Sequence, residues 1–393
     1  MVPALAVADA LRAEGAEVVF IGAQRAEAQL VPDAGFQLHG LAVEGLSRTN
    51  PFRALRALVR AAIAVPRARG LLRDIEPGAV MGGGGYVAGP VALAAITLRI
   101  PVVLTEADSH LGLTNRLLAP FARRVCLAFP LDGPDAEAPR SARRRAPWRA
   151  RARRRAVGDG PVAPAHRSEI GQRPTGRRSA GARGGERYRV TGRPVPAPRR
   201  DERTARARLG IGPEETCVLV FGGSLGSRTI NRAAVEAFTT GPSPTGSSFR
   251  VLHISGQRDY EELAARELPP GYDLRAYLDE ADFADALAAA DLTVARAGGS
   301  VFEIAAHGVP AILVPYPHAA GDHQSENARW MSDAGAAIVI PDGELNGARL
   351  ARVVAELLAD RSRLAAMASA ARGLARPDAA RAVASELLEV ARR

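Results

Sequence analysis

The sequence contains no lysine, only two cysteines and no apolar run of membrane-spanning length. Its 52 basic residues are all arginine, which is typical of a GC-rich coding sequence. Cys126 and Cys217 both fall in apolar, strand-like runs, so we expect buried thiols in a reducing cytosol and no disulfide framework. No run approaches about 18 apolar residues and no signal peptide is recognisable, so nothing in the sequence predicts a membrane span.

The net charge of +10 is concentrated in one segment. Residues 132–185 contain 14 Arg and five acidic residues, whereas the rest of the chain has 38 Arg and 37 acidic residues. The segment lacks hydrophobic periodicity and is dense in Pro, Gly and Arg, which predicts a disordered insert. A nucleic-acid tail, a patch attracted to anionic lipid, an inert insertion and out-of-frame translation are the open interpretations. Its single aromatic residue, Trp148, offers no stacking platform for bases, so no nucleic-acid partner is expected.

Strand-like apolar runs alternate with helical stretches in two series, which indicates an α/β protein with parallel sheets covered on both faces. A chain of 393 residues exceeds what one core usually serves, so we expect two Rossmann-like domains facing each other across a cleft. The first series has runs at 16–22, 78–87, 100–108, 124–130 and 187–192. The second has runs at 216–224, 249–256, 272–278, 290–298, 310–317 and 335–342, with helices after it at 346–359, 361–375 and 379–392.

The domain boundaries are predicted from these changes in composition. Residues 1–131 are assigned to the N-terminal Rossmann-like domain, and 132–185 to the Arg-rich insert. Residues 186–200 complete the N-terminal domain and include a Pro-rich linker. Residues 201–375 are assigned to the C-terminal domain, and 376–393 to a last helix that is expected to pack back on the N-terminal domain.

A Gly-rich turn between a strand and a helix lies within VFGGSLGSRTIN, residues 220–231. Glycine permits positive φ and close backbone approach, and the N-terminus of a helix offers free N–H groups to a phosphate. Ser224 adds a hydroxyl donor. We interpret the stretch as an anion-binding turn, with an ordinary tight turn as the alternative.

A second turn of this kind lies within RAGGSVFEIAAHGVPAILVPYP, residues 296–317. Gly298, Gly299 and Ser300 precede a helix, and Glu303 lies in its first turn. A carboxylate there suits the helix dipole and can accept hydrogen bonds from a ribose diol, so a plain capping role and a ribose-binding role are both open.

A third stretch, GDHQSENA at 321–328, also follows a strand and begins a helix. Gln324 and Asn327 lie three residues apart on one helical face, where both could reach the hydroxyls of a sugar. His323 has no second ligand at metal-site spacing, so no metal site is expected.

Six ordered stretches resemble the MurG family, whose members transfer N-acetylglucosamine from UDP-N-acetylglucosamine to the lipid-linked muramyl-pentapeptide precursor of peptidoglycan. Together they span nearly the whole chain except 132–185. The resemblance implies a GT-B fold, an inverting transfer reaction, a UDP-sugar donor and no cofactor. The stretches are PALAVADALRAEGAEVVFIG, GGGGYVAGPVALAA, IPVVLTEADSHLGLTNRLLA, GGSLGSRTIN, RAGGSVFEIAAHGVPAILVPYPH and DHQSENA.

The resemblance also implies roles for individual residues. Ser224 would lie at the donor phosphate or sugar, Leu278 at the uracil and Glu303 at the ribose. Backbone contacts to the donor would come from Gly298, Gly299, Ser300, Val301 and Phe302. The amides of Gln324 and Asn327 would bind the sugar hydroxyls. Asp108 would be the donor contact from the N-terminal domain. Acceptor contacts would come from a second Gly-rich loop, formed by Gly83, Gly84, Gly85 and Tyr86. Others would come from Glu106 and Asn115, in the segment that faces the transfer site.

Several departures from the family pattern bear on these roles. Asp108 replaces an amide that is common in the family. In GRPVP, residues 192–196, Pro196 stands where the family has an arginine, and Arg193 is the open substitute. The loop between Arg296 and Glu303 is one residue shorter than usual, and the insert interrupts a connection that is normally short.

The start of the sequence bears on the catalytic base. In the family, PALAVA follows a strand and a Gly-Gly-Thr-x-Gly-His turn, whose histidine is the favoured general base. Met1 falls just after that position, so we expect this chain to lack the first strand, the turn and the base, unless the start is misassigned. None of the seven histidines matches the missing one, and the catalytic residue is left unknown. His110 could replace it or could be a solvent-facing loop histidine.

The acceptor implied by the resemblance is a lipid, so an attraction to the membrane is expected. Residues 52–73 combine six Arg with Phe52, Leu55, Leu58, Val59, Ile63 and Val65. Such a stretch could lie on an anionic membrane, or it could pack its apolar face on the sheet. We expect peripheral binding at the cytoplasmic face of the cell membrane that weakens with salt.

The leading hypothesis is therefore an inverting N-acetylglucosamine transferase of peptidoglycan synthesis. Three alternatives stay open. They are a GT-B transferase with another acceptor, a UDP-sugar 2-epimerase, and a donor-binding protein that is inactive because the N-terminus is truncated. An epimerase would need acid and base groups in the N-terminal cleft that the sequence does not reveal.

Overall fold

The structure is a computed structural model that describes residues 2–23, 27–41, 51–129, 187–195, 201–239 and 249–392. The predicted Arg-rich insert lies outside the described residues, and so does Pro196. The side chains of residues 51–62 and of Tyr86 also lie outside the description, and with them most of the apolar residues in the predicted membrane-binding stretch.

The N-terminal half alternates short strands with helices. Its strands are β1 (Val19–Gly22), β2 (Gln37–Gly40), β3 (Val80–Gly82), β4 (Val102–Glu106), β5 (Arg124–Leu127) and β6 (Tyr188–Val190). Its helices are α1 (Val2–Ala13), α2 (Glu27–Asp33), α3 (Pro51–Ile75), α4 (Gly85–Thr97) and α5 (Leu113–Leu118), and a 3₁₀ turn at Ala119–Phe121 follows.

Two parallel sheets form from these N-terminal strands. One pairs β1 with β2, and the other has the order β3-β4-β5-β6. Strand β4 is apolar along most of its length, and Val102, Val103 and Leu104 are fully buried, as expected for a strand covered on both faces. Helix α4 packs between α3 and α5 on this side of the molecule.

The C-terminal half continues the alternation with longer elements. Its strands are β7 (Thr216–Phe221), β8 (Phe249–Ile254), β9 (Tyr272–Arg275), β10 (Leu292–Ala295), β11 (Ala311–Leu313) and β12 (Ala337–Val339). Its helices are α6 (Glu202–Leu209), α7 (Arg228–Thr239), α8 (Gln257–Ala264), α9 (Glu280–Ala289), α10 (Val301–His307), α11 (His323–Asp333), α12 (Gly347–Ala359), α13 (Arg361–Leu374) and α14 (Ala379–Ala391).

The C-terminal strands form one parallel sheet in the order β9-β8-β7-β10-β11-β12. The chain builds outward from β7 in one direction and then from β10 in the other, which is the doubly wound Rossmann arrangement. Alternate residues of β7 enter two cores, because successive side chains of a strand point to opposite faces. Leu219 and Phe221 join the core on the α9 and α10 face, and Val218 joins the core under α7 and α12.

The last helix lies on the N-terminal half. Helix α14 packs against α1, and Val383 and Leu387 share a buried cluster with Val7 and Val103. Arg124 Nε lies 2.7 Å from Glu386 Oε2, which adds an ion pair between β5 and α14.

The α/β class predicted from the sequence is confirmed, since each predicted apolar run contains an observed strand and the three predicted C-terminal helices are present. Strand β2 was not predicted. Its sequence, Gln37–Gly40, has no continuous apolar run, and the strand is only partly buried.

Candidate active site

Two loops of the C-terminal half meet where the strand order reverses. Strands β7 and β10 are parallel neighbours, and β7 ends at Phe221 while β10 ends at Ala295. The loops that follow them therefore leave the same edge of the sheet side by side. In open α/β sheets the crevice at this switch point is where ligands bind.

The turn after β7 is packed against the end of β8. Gly223 and Gly226 have φ values of 86° and 73°, and the N–H of Gly226 donates to the carbonyl oxygen of Gly223 at 2.9 Å. A Cβ atom on Gly226 would overlap the carbonyl oxygen of Ser255, so the turn requires glycine there. Ser224 is exposed in this turn, where a ligand can reach it.

A buried polar network supports this turn, and sequence reasoning missed it. Asn231 Nδ2 donates to the carbonyl oxygen of Ser255 at 2.9 Å and to Asp259 Oδ2 at 3.0 Å. His253 lies with Nε2 3.0 Å from Asn231 Oδ1 and with Nδ1 2.7 Å from the hydroxyl of Tyr272. An amide oxygen can only accept, so Nε2 carries the proton and Nδ1 accepts from the hydroxyl. Burial lowers the pKa of His253 to about 4, so the ring is neutral at pH 7.

Two side chains brace the turn after β10. Arg296 Nη1 lies 2.5 Å from Asp342 Oδ1 and donates to the carbonyl oxygen of Val314 at 3.1 Å. Asn327 is 1% exposed and donates from Nδ2 to the carbonyl oxygen of Ala297 at 3.0 Å. The amide of Asn327 therefore supports the turn from inside the protein, and among the described residues no atom hydrogen-bonds its buried Oδ1.

Of the other predicted donor residues, three lie in the hydrophobic core and one lies at the turn after β10. Val301, Phe302 and Leu278 are buried in one hydrophobic cluster. The buried side chains of Val301 and Phe302, the first two residues of α10, leave their backbone as the part that could face a ligand. Gln324 lies at the turn itself, because its Nε2 is 3.9 Å from the Cβ position of Gly298, and its Oε1 accepts from the N–H of Tyr316 at 2.9 Å.

Glu303 lies in the first turn of α10 and is partly buried. Burial raises the pKa of Glu303, and the charge of Glu280 acts in the same direction, whereas the charge of Arg193 lowers it. Ser300 makes no side-chain cap to this helix. A carboxylate with a raised pKa beside an arginine is typical of a functional site.

The predicted acceptor residues of the N-terminal half organise the loop after β4. Glu106 is buried, and its Oε2 accepts from the N–H of Gly112 at 2.7 Å and from Asn115 Nδ2 at 2.9 Å. Its Oε1 accepts from the N–H groups of Ala107 and Asp108 at 3.1 and 3.3 Å. Both predicted side chains are thus engaged within the protein, and they shape the loop that carries Asp108.

The second Gly-rich loop lies beside this organised loop. Gly84 has a φ of 78°, and its Cβ position is 3.9 Å from the carbonyl oxygen of Thr105 and 4.0 Å from Asn115 Nδ2. Gly83 is exposed and Gly85 begins α4. The structure therefore brings the predicted Gly-rich loop and the predicted segment around Glu106 together.

The loops of the two halves touch across the cleft. Ser109 Oγ donates to Glu326 Oε2, and His110 Nδ1 lies 3.7 Å from the same oxygen. The ring of His110 also lies against Gly321, whose Cβ position is 2.6 Å from Nε2. His110 therefore lies in the contact between the halves and is not simply a solvent-facing loop histidine.

An aromatic cluster closes the inner end of this contact. The ring centroid of Phe129 lies 4.7 Å from that of Phe302 and 5.1 Å from that of Trp330. These distances suit aromatic pairing, and the cluster joins the end of β5 to α10 and α11.

The part of the chain that the structure describes contains no group of three or more His, Cys, Asp or Glu side chains arranged to hold a metal ion. Within the same residues no helix is long and apolar enough to cross a membrane.

Sequence profiles match the chain in both halves. The N-terminal domain of glycosyltransferase family 28 matches residues 1–127, and the C-terminal domain of that family matches residues 217–383. Among solved structures, MurG from Acinetobacter baumannii superposes with a TM-score of 0.67 at 26% identity, over 98% of this chain and 95% of that one. A UDP-GlcNAc 2-epimerase from Neisseria meningitidis, at 12% identity, 99% and 96% coverage and a TM-score of 0.62, shares the fold alone.

Curated relatives agree with the profiles. A protein from Rubrobacter xylanophilus is 40% identical over 98% of this chain and 99% of its own length. A protein from Moorella thermoacetica is 38% identical over 98% of this chain and 95% of its own length. Both are named UDP-N-acetylglucosamine--N-acetylmuramyl-(pentapeptide) pyrophosphoryl-undecaprenol N-acetylglucosamine transferase.

Two parallel α/β halves that face each other across a cleft, with both family 28 domains, define a GT-B glycosyltransferase. Within that class, the chain belongs to the MurG family. The GT-B fold and the family that the six sequence stretches indicated are thereby confirmed.

Proposed function

We propose that this chain transfers N-acetylglucosamine from UDP-N-acetylglucosamine to undecaprenyl-pyrophosphoryl-muramyl-pentapeptide, with inversion at the anomeric carbon. This reaction belongs to peptidoglycan synthesis and so serves cell-wall biogenesis, cell shape and cell division. The observation that carries the proposal is that relatives bearing this activity in their names match nearly the whole chain at 38–40% identity. The cleft between the halves supplies a site of the right kind.

The donor is assigned to the C-terminal wall of the cleft. Glu303 would bind the ribose, and Leu278 would pack at the uracil. Gln324 would bind the sugar hydroxyls directly, and Asn327 would assist at the same hydroxyls. The burial of Asn327 makes its contribution indirect, through the backbone of the turn that it braces. Exposed Ser224 and the backbone of the turn after β7 would face the diphosphate, where fixed N–H groups stabilise the negative charge that develops on departing UDP.

The acceptor is assigned to the N-terminal wall. The backbone of Gly83, Gly84 and Gly85 would contact its pyrophosphate, and the loop organised by Glu106 and Asn115 would lie beside the attacking sugar. The contacts of these two side chains support a role in holding the loop in shape.

A transfer assay tests the proposed reaction. The full chain is incubated with radiolabelled UDP-N-acetylglucosamine and the lipid-linked muramyl-pentapeptide, and label is measured in the lipid fraction. We expect label to enter the lipid only when acceptor is present. Binding of the donor without transfer would contradict the proposal in favour of a donor-binding protein. Acceptor-independent formation of the 2-epimer of the UDP-sugar would contradict it in favour of an epimerase.

We also propose peripheral binding to the anionic cytoplasmic surface of the membrane, through an exposed patch next to the acceptor loop. Leu113 and Leu117, one turn apart on α5, and Phe121 just after it are 67%, 63% and 66% exposed. Arg116 and Arg123 are exposed beside them. We call these five residues the α5 patch. Apolar side chains flanked by arginines suit an anionic lipid surface, and Ile63 of the predicted 52–73 stretch is also exposed.

Vesicle sedimentation tests the membrane assignment. We expect Leu117→Glu to weaken binding to anionic vesicles, whereas Leu30→Glu, the same change at an exposed leucine of α2, leaves it unchanged. Binding of the unaltered chain should also fall as salt rises, because arginines supply part of the attraction. Equal sedimentation of both variants, or no sedimentation of the unaltered chain, would contradict the α5 patch as the contact.

A further inference from the structure

Arg193 reaches from the N-terminal half into the donor side of the cleft. It follows β6, and its guanidinium lies directly on Gly299 of the turn after β10. A Cβ atom on Gly299 would overlap Nη1 and would lie 2.5 Å from Cζ, so only glycine permits this approach. The Cζ atom lies 6.0 Å from the ring centroid of Phe302.

Two carboxylates lie near this guanidinium, but neither makes a direct contact with it. The carboxylates of Glu303 and Asp108 attract Arg193 and raise its pKa, against a larger lowering by burial. Within the described residues, however, the guanidinium forms no hydrogen bond and no close ion pair. An arginine side chain carries five N–H donors and stays protonated. None of its nitrogens is a fully buried atom without a partner, so these donors remain open to an anionic ligand in the cleft.

We propose that Arg193 binds the diphosphate of the nucleotide-sugar donor. The assignment rests on the proposed function, which supplies the donor. Gly299 lies in the turn that leads into α10, four residues before Glu303, and the charge of Glu303 acts on the guanidinium, so Arg193 lies near the proposed ribose site. In a nucleotide sugar the base and the diphosphate flank the ribose, and of the two only the diphosphate is an anion that a guanidinium would attract.

The chemistry of the side chain fits this ligand. The planar guanidinium can donate two parallel N–H bonds to neighbouring phosphate oxygens, which a neutral sugar or a uracil ring does not match as well. The charges of Glu303 and Asp108 favour the protonated guanidinium at the cleft. Because Arg193 belongs to the N-terminal half and Gly299 to the C-terminal half, the bound diphosphate would be contacted from both walls.

Titration of the full chain with two ligands tests the assignment. UDP carries the diphosphate and uridine lacks it, so the ratio of their affinities isolates the contribution of the phosphates. Arg193→Ala removes the guanidinium and Arg193→Lys keeps the charge without the planar fork. Arg189→Ala is the matched control, because Arg189 precedes the same segment but pairs with Glu386 on α14, with Nε 3.2 Å from Oε1.

We expect Arg193→Ala to weaken UDP binding by about tenfold or more, Arg193→Lys to weaken it less, and uridine binding to stay unchanged in both. Arg189→Ala should bind UDP as the unaltered chain does. Equal UDP affinity in Arg193→Ala and the unaltered chain would overturn the assignment while leaving the proposed function intact. Loss of uridine and UDP binding in equal proportion would also overturn it. Failure of the unaltered chain to bind UDP would contradict the proposed function itself.

Discussion

At the scale of single residues, the ionisation of Glu303, the proposed ribose ligand, should be visible in donor binding. Its carboxylate is partly buried in the first turn of α10, and burial raises its pKa above the ordinary value for glutamate. A deprotonated carboxylate accepts hydrogen bonds from both hydroxyls of a ribose, whereas a protonated one loses acceptor strength. The affinity for a nucleotide sugar should therefore fall as pH falls through this raised pKa.

Calorimetric titration with UDP-N-acetylglucosamine between about pH 5 and 8 checks this expectation. Both phosphates of this donor are diesters with fixed charge, so the ligand does not titrate in that range. We expect Glu303→Gln to bind about tenfold more weakly at the upper end and to lose the pH dependence. The same pH dependence in the variant and in the unaltered chain would assign the titration to another group.

His253 has the opposite kind of shift and affects stability. The ring is fully buried and neutral, and its pKa is lowered to about 4. In the unfolded chain a histidine titrates near pH 6.5, so below that pH the unfolded state binds a proton that the folded state does not. The contribution of the neutral, buried ring to the free energy of unfolding is complete above about pH 6.5 and is lost as pH falls towards 4.

Comparison of His253→Gln with the unaltered chain isolates this effect. At pH 7.5 the variant should be less stable, because it loses the contacts to Asn231 and Tyr272. At pH 5 the difference in free energy of unfolding should be smaller by about 2 kcal/mol. Urea unfolding at the two pH values measures it, and a difference that does not change with pH would contradict a neutral buried ring.

At the scale of elements, the turn between β7 and α7 shows why its glycines are not equivalent. Gly223 and Gly226 both have positive φ, but the Cβ position of Gly223 has no neighbour within 4 Å, whereas that of Gly226 overlaps Ser255. An alanine at the first position meets only backbone strain of about 1–2 kcal/mol. At the second it also displaces the carbonyl group that Asn231 holds.

We therefore expect Gly226→Ala to lower the melting temperature much more than Gly223→Ala, and to weaken UDP binding because the turn moves. Thermal unfolding of both variants without UDP measures the change in melting temperature. The increase in melting temperature on adding UDP measures the change in UDP binding. Equal melting temperatures for the two variants would show that the turn is not locked against β8.

The elements of both halves could be predicted because buried parallel strands are written in the sequence as continuous apolar runs, such as CVLVF in β7. Contacts between distant parts of the chain could not be read in this way. Arg193 and Gly299 are more than a hundred residues apart, and nothing local to either indicates the other. The same holds for Asn231 and His253, whose hydrogen bond depends on the packing of α7 against β8.

The sequence does not show whether a predicted site residue contacts the ligand itself or holds the loop that does. Glu106 and Asn115 carry the residue types expected of an acceptor site, yet the structure engages both with the loop after β4. The sequence shows which residues are polar near the ends of strands, but only the fold shows which of them are still free to meet a ligand.

At the scale of the whole molecule, several contacts among the described residues join the two halves. Helix α14 packs on α1, the Phe129 cluster joins β5 to α10, and Ser109 with His110 meets the loop before α11. These contacts bring the loops of both halves to the same cleft, and Arg193 crosses it. We therefore propose that the nucleotide sugar binds at the switch point of the C-terminal sheet, facing the N-terminal loops.

Hydrogen–deuterium exchange with and without saturating UDP-N-acetylglucosamine tests this claim most directly, because it reports which backbone segments the donor protects. We expect slower exchange in peptides that cover 222–227 and 298–303, and in the loop around Arg193, with α12 and α14 unchanged. Protection confined to other segments, or no protection at 298–303 when the donor is bound, would contradict it.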